Sequence, residues 1–138
     1  MVVGICLLAN SCAKPTGPFL TVGDVRVNVE IAETPTARQQ GLSNRASLDQ
    51  NSGMLFIFDE QSVQTFWMKN TLISLDFIWI RDGKVVDITE YVPTEPGVSD
   101  DLLKRYSPKE AVDWVLEVNA GWVDRNEVEI GDLVVLTR

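Results

Sequence analysis

A chain of 138 residues with 20 acidic and 12 basic side chains, a net charge of −8, two cysteines and no histidine has room for one core and excludes several chemistries at once. Without histidine there is no imidazole base near neutral pH and no histidine-ligated zinc or haem, and the acidic balance opposes nucleic acid, whose binding relies on clustered Lys and Arg. The length and the 45% hydrophobic share allow a core that needs neither a disulfide framework nor a structural metal.

Residues 1–12, MVVGICLLANSC, hold both cysteines and no charged side chain. The apolar run is too short to span a bilayer, which takes about 20 residues, but it fits the hydrophobic part of a secretory signal. No Lys or Arg precedes Lys14, so it reads as a truncated signal. Its end, Leu8-Ala9-Asn10-Ser11-Cys12, looks like a bacterial lipobox, which makes Cys12 the candidate for lipidation; a cleaved soluble signal and a plain apolar terminus are the alternatives. Residues 13–18 have the composition of a tether, and residues 19–138 form the single domain. These features predict an exported protein, periplasmic or on the outer face of a membrane, touching lipid only through an anchor.

Phe19 to Val22, the turn Gly23-Asp24 and the alternating Val25 to Ile31 predict a β-hairpin. Thr34-Pro35 supplies a helix cap and a first-turn proline, and Gly41 stops that helix after about two turns. A polar connection over 42–53 leads to an apolar strand at Met54 to Phe58, and a second strand is expected at Thr65 to Met68. Leu75 to Ile80 is the most apolar segment of the domain, and Asp82-Gly83 turns it into Lys84 to Ile88. The proline-rich stretch 93–108 predicts a long loop with one helical turn near 101–105, of the kind that serves as a lid, binding loop or mobile excursion. Trp114 to Val118 reads as a strand, Asn119 or Ala120 opens a short helix through about Glu127, and Asp132 to Leu136 is the last strand. The expected fold is mainly β with two short helices (α+β), a compact, mostly antiparallel sheet, barrel-like or sandwich.

An ordered set of short signatures runs through these elements: Val29-Glu30-Ile31-Ala32, Arg38-Gln39-Gln40-Gly41-Leu42-Ser43-Asn44-Arg45, Gly53 to Phe58, Phe66-Trp67-Met68-Lys69-Asn70-Thr71, Leu75-Asp76, Leu116-Glu117, Gly121 and Gly131-Asp132. In this order they resemble the uncharacterised prokaryotic family called domain of unknown function 192, over roughly residues 22–137. The chain departs from the family pattern at Ser43, where methionine is common, and in lacking a cysteine-containing segment in the long loop. The resemblance implies a compact, β-rich, often exported domain and no known reaction, cofactor or substrate.

Two acids interrupt strands that are otherwise apolar on both faces. Alternation puts Asp76 on a face with Ile78 and Ile80, and Glu117 on a face with Val115. A carboxylate removed from water costs several kcal/mol, as an order of magnitude, unless it is paired, hydrogen-bonded or protonated. The available partners are Arg38, Arg45, Lys69 and the amide of Asn70. Three readings follow: an ion-pair cluster pinning helix and loop to the sheet, a polar pocket in which Arg38 or Arg45 meets an anionic group, or catalysis by an Asp76/Glu117 carboxylate pair resembling a glycosidase.

Of four tryptophans, Trp79, Trp114 and Trp122 read as core. Trp67 shares a face with Lys69 and is the candidate for lining a groove or stacking on a sugar. No serine or cysteine nucleophile, phosphate-binding loop or calcium-loop spacing occurs, so no cofactor or metal is expected. The functional expectation is a binding or accessory module rather than an enzyme, acting as a monomer on a small ligand or an envelope protein; the alternatives are a small acid-residue hydrolase and a purely structural envelope partner.

Overall fold

A computed structural model describes residues 16–138; Cys6, Cys12 and the lipobox-like segment lie outside the described residues. Seven strands and two short helices follow in the order β1 (Phe19–Val22), β2 (Val25–Ala32), α1 (Pro35–Gln40), β3 (Ser52–Ser62), β4 (Leu75–Arg81), β5 (Lys84–Val92), β6 (Val112–Asn119), α2 (Trp122–Arg125) and β7 (Val134–Thr137). They make one sheet in the spatial order β5-β4-β6-β3-β2-β1-β7. Every neighbouring pair is antiparallel except β2 and β3, because the crossover through α1 returns the chain to the same end of the sheet before β3 begins.

The sheet curls into a half-barrel. Its two outer strands approach at one end, where Lys84 bridges Leu133, Val85 N–H donates to Asp132 O at 3.0 Å and Val134 N–H donates to Gly83 O at 2.8 Å. Of the two architectures expected from the sequence, the barrel-like one forms, as a single sheet.

Alternation along the strands sorts the apolar side chains into two layers. All seven strands contribute to the first, including Leu20, Val27, Leu55, Ile78, Val85, Leu116 and Val134, and α2 adds Trp122 and Val123, so this layer fills the concave side. The second holds Met54, Phe56, Phe77, Trp79 and Val115, joined by Met68 and Tyr106. It lies beneath α1 and the segments 63–74 and 93–111.

The local signals act as their chemistry requires. Thr34 caps α1, its Oγ1 accepting from Ala37 N–H at 3.1 Å, and the backbone leaves the helix at Gly41 with φ 49°. A side chain at Gly41 would also press on the Phe56 ring, 3.3 Å from an added Cβ.

Three expectations need correction. Thr65 to Met68 is not a strand: Phe66 alone bridges Tyr106, through bonds of 2.8 and 2.9 Å, because its ring is drawn into an aromatic cluster that breaks the extended run. Phe66 packs against Phe56, Phe58, Phe77 and Trp79 at centroid separations of 5.0, 6.4, 5.8 and 5.5 Å. The second helix is one turn, Trp122–Arg125, since Gly121 enters it at φ 86° and Glu127 leaves at φ 54°. The stretch 101–105 is a turn without a helix.

The long loop is pinned rather than free-standing. Leu103 and Tyr106 are buried, and Asp87 Oδ2 on β5 accepts from Lys109 N–H at 2.9 Å.

Candidate ligand-binding cavity

The two acids part company across the sheet. In the β4–β6 ladder Asp76 stands opposite Val118 and Phe77 opposite Glu117, and directly opposed residues share a face. Asp76 therefore points into the concave layer with Val118, and Glu117 into the other layer with Phe77. The carboxylate pair suggested for hydrolysis does not form, because the register staggers the acids by one residue and the sheet lies between them.

Asp76 has a structural task. It is fully buried, and its two oxygens accept from Tyr91 N–H at 2.8 Å and Val123 N–H at 3.0 Å. The first satisfies a β5 residue held at φ 52°; the second satisfies an otherwise orphan donor in the opening turn of α2. Gly121 offers no side-chain cap there, so a carboxylate from β4, the neighbour of the strand that leads into α2, does the capping. None of the expected cations reaches it.

Glu117 is different. It is 5% exposed, and burial alone pushes its carboxyl up to about 8, with no hydrogen bond or neighbouring charge contributing. It is therefore mostly protonated at neutral pH. It also lines a cavity of about 610 Å³ between α1 with its following turn and the 64–71 segment, a volume that suits a small-molecule site. Phe56, Phe58, Phe66 and Trp67 give the cavity apolar walls, and side chains such as Gln39, Gln64 and Thr65 give it polar ones.

Two opposed turns frame this space. The chain turns after Met68, with Thr71 N–H donating to Met68 O at 3.1 Å and Asn70 at φ 53°. Across from it Asn44 sits at φ 61° and donates its N–H to Asn70 O at 2.8 Å, while Ser43 Oγ donates to Lys69 O at 3.3 Å. Asparagine tolerates the left-handed region better than most residues, so Asn70 serves as a turn-former as well as a cavity wall.

The other candidates fall in two groups. Arg38, Trp67, Lys69 and Asn70 line the cavity with Glu117; Arg45 and Asp76 do not. Arg38 Nη1 donates to the carbonyls of Glu33 and Ile57, both at 2.8 Å, and its guanidinium lies over the Phe58 ring at 5.1 Å. Arg45 is spent on a bidentate pair with Glu30, which holds that carboxyl below its usual range. Lys69 Nζ meets Asp100 Oδ2 at 2.5 Å and lies 5.2 Å from the Trp67 centroid, with Arg105 at 4.1 Å from the same ring. Trp67 is thus half-exposed but already stacked with cations.

Phe56 and Phe58 form aromatic walls of the cavity, marked in the sequence only by the continuous apolar run from Met54 to Phe58. Asp87 is a third buried acid, not singled out by strand alternation, and it binds the backbone N–H groups of Ile88 and Lys109 rather than a ligand. Among the described residues no three His, Cys, Asp or Glu side chains converge as a metal site, and no helix is long and apolar enough to cross a membrane.

Fold and cavity together define a small curled-sheet domain with a structural acid under one face and an unpartnered acid in a cavity on the other. Residues 19–136 match the model of domain of unknown function 192, described as "Uncharacterized ACR", and the chain belongs to that family. Two solved structures share the fold. One, from Sinorhizobium meliloti 1021 and described as a "putative transcription regulator", is 34% identical, with a TM-score of 0.75 over 86% of this chain and 90% of that one. The other, a protein of unknown function from Novosphingobium aromaticivorans DSM 12444, is 28% identical, with a TM-score of 0.77 over 85% of this chain and 83% of that one. No curated protein matches.

Proposed function

We propose that the domain is a binding module whose ligand occupies the cavity between α1 and the 64–71 segment. One observation carries this reading: Glu117 is buried in the sheet, without a partner, at the wall of a cavity large enough for a small molecule. A fold gains nothing from an unpaired buried acid, which costs free energy that an apolar side chain would not. Such a group is commonly retained for a functional reason. The apolar N-terminal segment ending at Cys12 supports a further part of the reading, that the domain works outside the cytoplasm on a lipid anchor.

A net charge of −8 opposes extending the description of the Sinorhizobium relative to DNA binding by this chain. Hydrolysis by paired acids lacks geometric support, since the two carboxyls occupy opposite faces.

The test is a small-molecule screen by protein NMR, read at the Trp67 indole N–H and the Phe66 amide. Compounds that bind should move these signals and raise the melting temperature. If no compound moves them and Glu117→Gln only stabilises the fold, a purely structural role replaces binding. Mass spectrometry of the mature protein tests the anchor: an acylated Cys12 at the N-terminus is expected, and an unlipidated start beyond residue 12 would remove that part.

A further inference from the structure

We propose that the cavity takes a small organic acid, its carboxylate received beside the Glu117 carboxyl and its apolar body held among the phenylalanines; this deepens the binding reading and rests on it. The chain carries 20 acidic side chains against 12 basic ones, yet Glu117 is the only acid in the cavity lining, where it is joined by Arg38 and Lys69. With Glu117 protonated at neutral pH, the lining together with Asp100, whose carboxylate pairs with Lys69 at 2.5 Å, sums to one net positive charge, that of Arg38, on a strongly acidic molecule. Such a patch draws in anions and turns cations away.

The available donors fit the same ligand. A protonated carboxyl offers one O–H, and its bond to a carboxylate is charge-assisted, short and strong. Arg38 uses Nη1 on two backbone carbonyls, and no hydrogen bond among the described residues occupies its Nη2, so part of the fork remains for an oxyanion. Phe56, Phe58 and Phe66 supply the surface for an apolar body.

Two other classes fit less well. An ammonium ligand would have to strip the proton from Glu117 and sit with Arg38 and Lys69. A sugar would need an open aromatic face, and the Trp67 ring already holds Arg105 and Lys69 against it, at 4.1 and 5.2 Å from the centroid.

The experiment titrates the full chain with three matched probes, benzoate, benzylammonium and benzyl alcohol, following the Trp67 indole and Phe66 amide signals. At pH 6.5 benzoate should bind in the cavity and the other two should not. Because the Glu117 proton is needed and its pKa stands at about 8, benzoate affinity should fall about 30-fold by pH 9.5. Glu117→Gln carries no titrating proton, so whatever affinity for benzoate the variant has should be flat from pH 6.5 to 9.5, and a variant that still loses affinity about 30-fold over that range overturns the part given to Glu117. Cavity binding of benzylammonium or benzyl alcohol in place of benzoate overturns the organic-acid assignment and leaves the binding reading standing. Benzoate binding that is flat with pH in the unmodified protein overturns the part given to Glu117. If none of the three probes moves the cavity signals, the organic-acid assignment falls; if the wider screen is also silent, the binding reading falls with it.

Discussion

Replacing Glu117 by glutamine should change how stability depends on pH more than it changes the fold. In the folded chain the acid titrates at about 8, against an ordinary value of 4.5. Below 4.5 folded and unfolded chains both hold the proton, and burial carries no ionic cost. Between the two values the unfolded chain has released a proton that the folded chain keeps, so each rise of one pH unit favours unfolding by about 1.4 kcal/mol. Above 8 both states are ionised, and the accumulated loss is roughly 5 kcal/mol, of which about 3 kcal/mol is already present at pH 7. Glutamine does not titrate. Urea denaturation of both proteins from pH 4.5 to 9 should therefore give stability curves that diverge by these amounts, with the variant gaining on the parent as pH rises. Glu30 and Glu33, held below their usual range by Arg45 and Arg138, push stability the opposite way, but they are common to both proteins and cancel in the difference. Parallel curves, or a variant that loses ground as pH rises, would refute the reasoning.

Asp76→Asn should cost about 2–3 kcal/mol, because an amide presents one acceptor where two buried N–H groups need one each; faster hydrogen exchange at the Val123 amide checks it, with the cavity signals unmoved. Gly53→Ala should destabilise by about 1–3 kcal/mol or more, since an added Cβ would lie 2.5 Å from the Glu117 carbonyl oxygen; thermal melting measures it, with Gly17→Ala, where nothing lies within 4 Å, as the neutral control. Arg45→Ala should cost less than about 1 kcal/mol, because its pair with Glu30 is largely solvated. That contribution should shrink in high salt and vanish as pH falls and Glu30 takes up its proton, which melting at several salt concentrations and pH values will show.

The elements that local chemistry specifies were legible in the sequence. Gly23-Asp24 and Asp82-Gly83 make their hairpins, Thr34 and Gly41 bound α1, and alternation along β4 and β6 assigned Asp76 and Glu117 to the correct companions on their own strands. Long-range pairing was not legible. Whether the two acids share a face depends on the offset of β4 against β6, and nothing local records that Asp76 stands opposite Val118. Extended propensity at Thr65 to Met68 lost to the tertiary pull of Phe66 into the aromatic cluster. The cations were readable as partners for acids in general, yet Arg45 found an exposed acid and Arg38 found carbonyls, because reaching Asp76 would have meant crossing the sheet. The family resemblance supplied the ordered set of segments and left the chemistry of the cavity to the structure.

The pairing of β1 with β7, Phe19 beside Thr137, joins the first strand of the domain to its last. Without β7, β1 has an open edge and the concave layer lacks Val134 and Leu136. No leading portion of the domain closes the sheet, and the contacts that complete it are the most distant in sequence, the kind that form slowly. A nascent or truncated chain would expose an apolar strand edge of the kind that pairs with other chains. The last strand is thus the latch of the domain: removing residues 134–137 would open the β1 edge and the concave layer together.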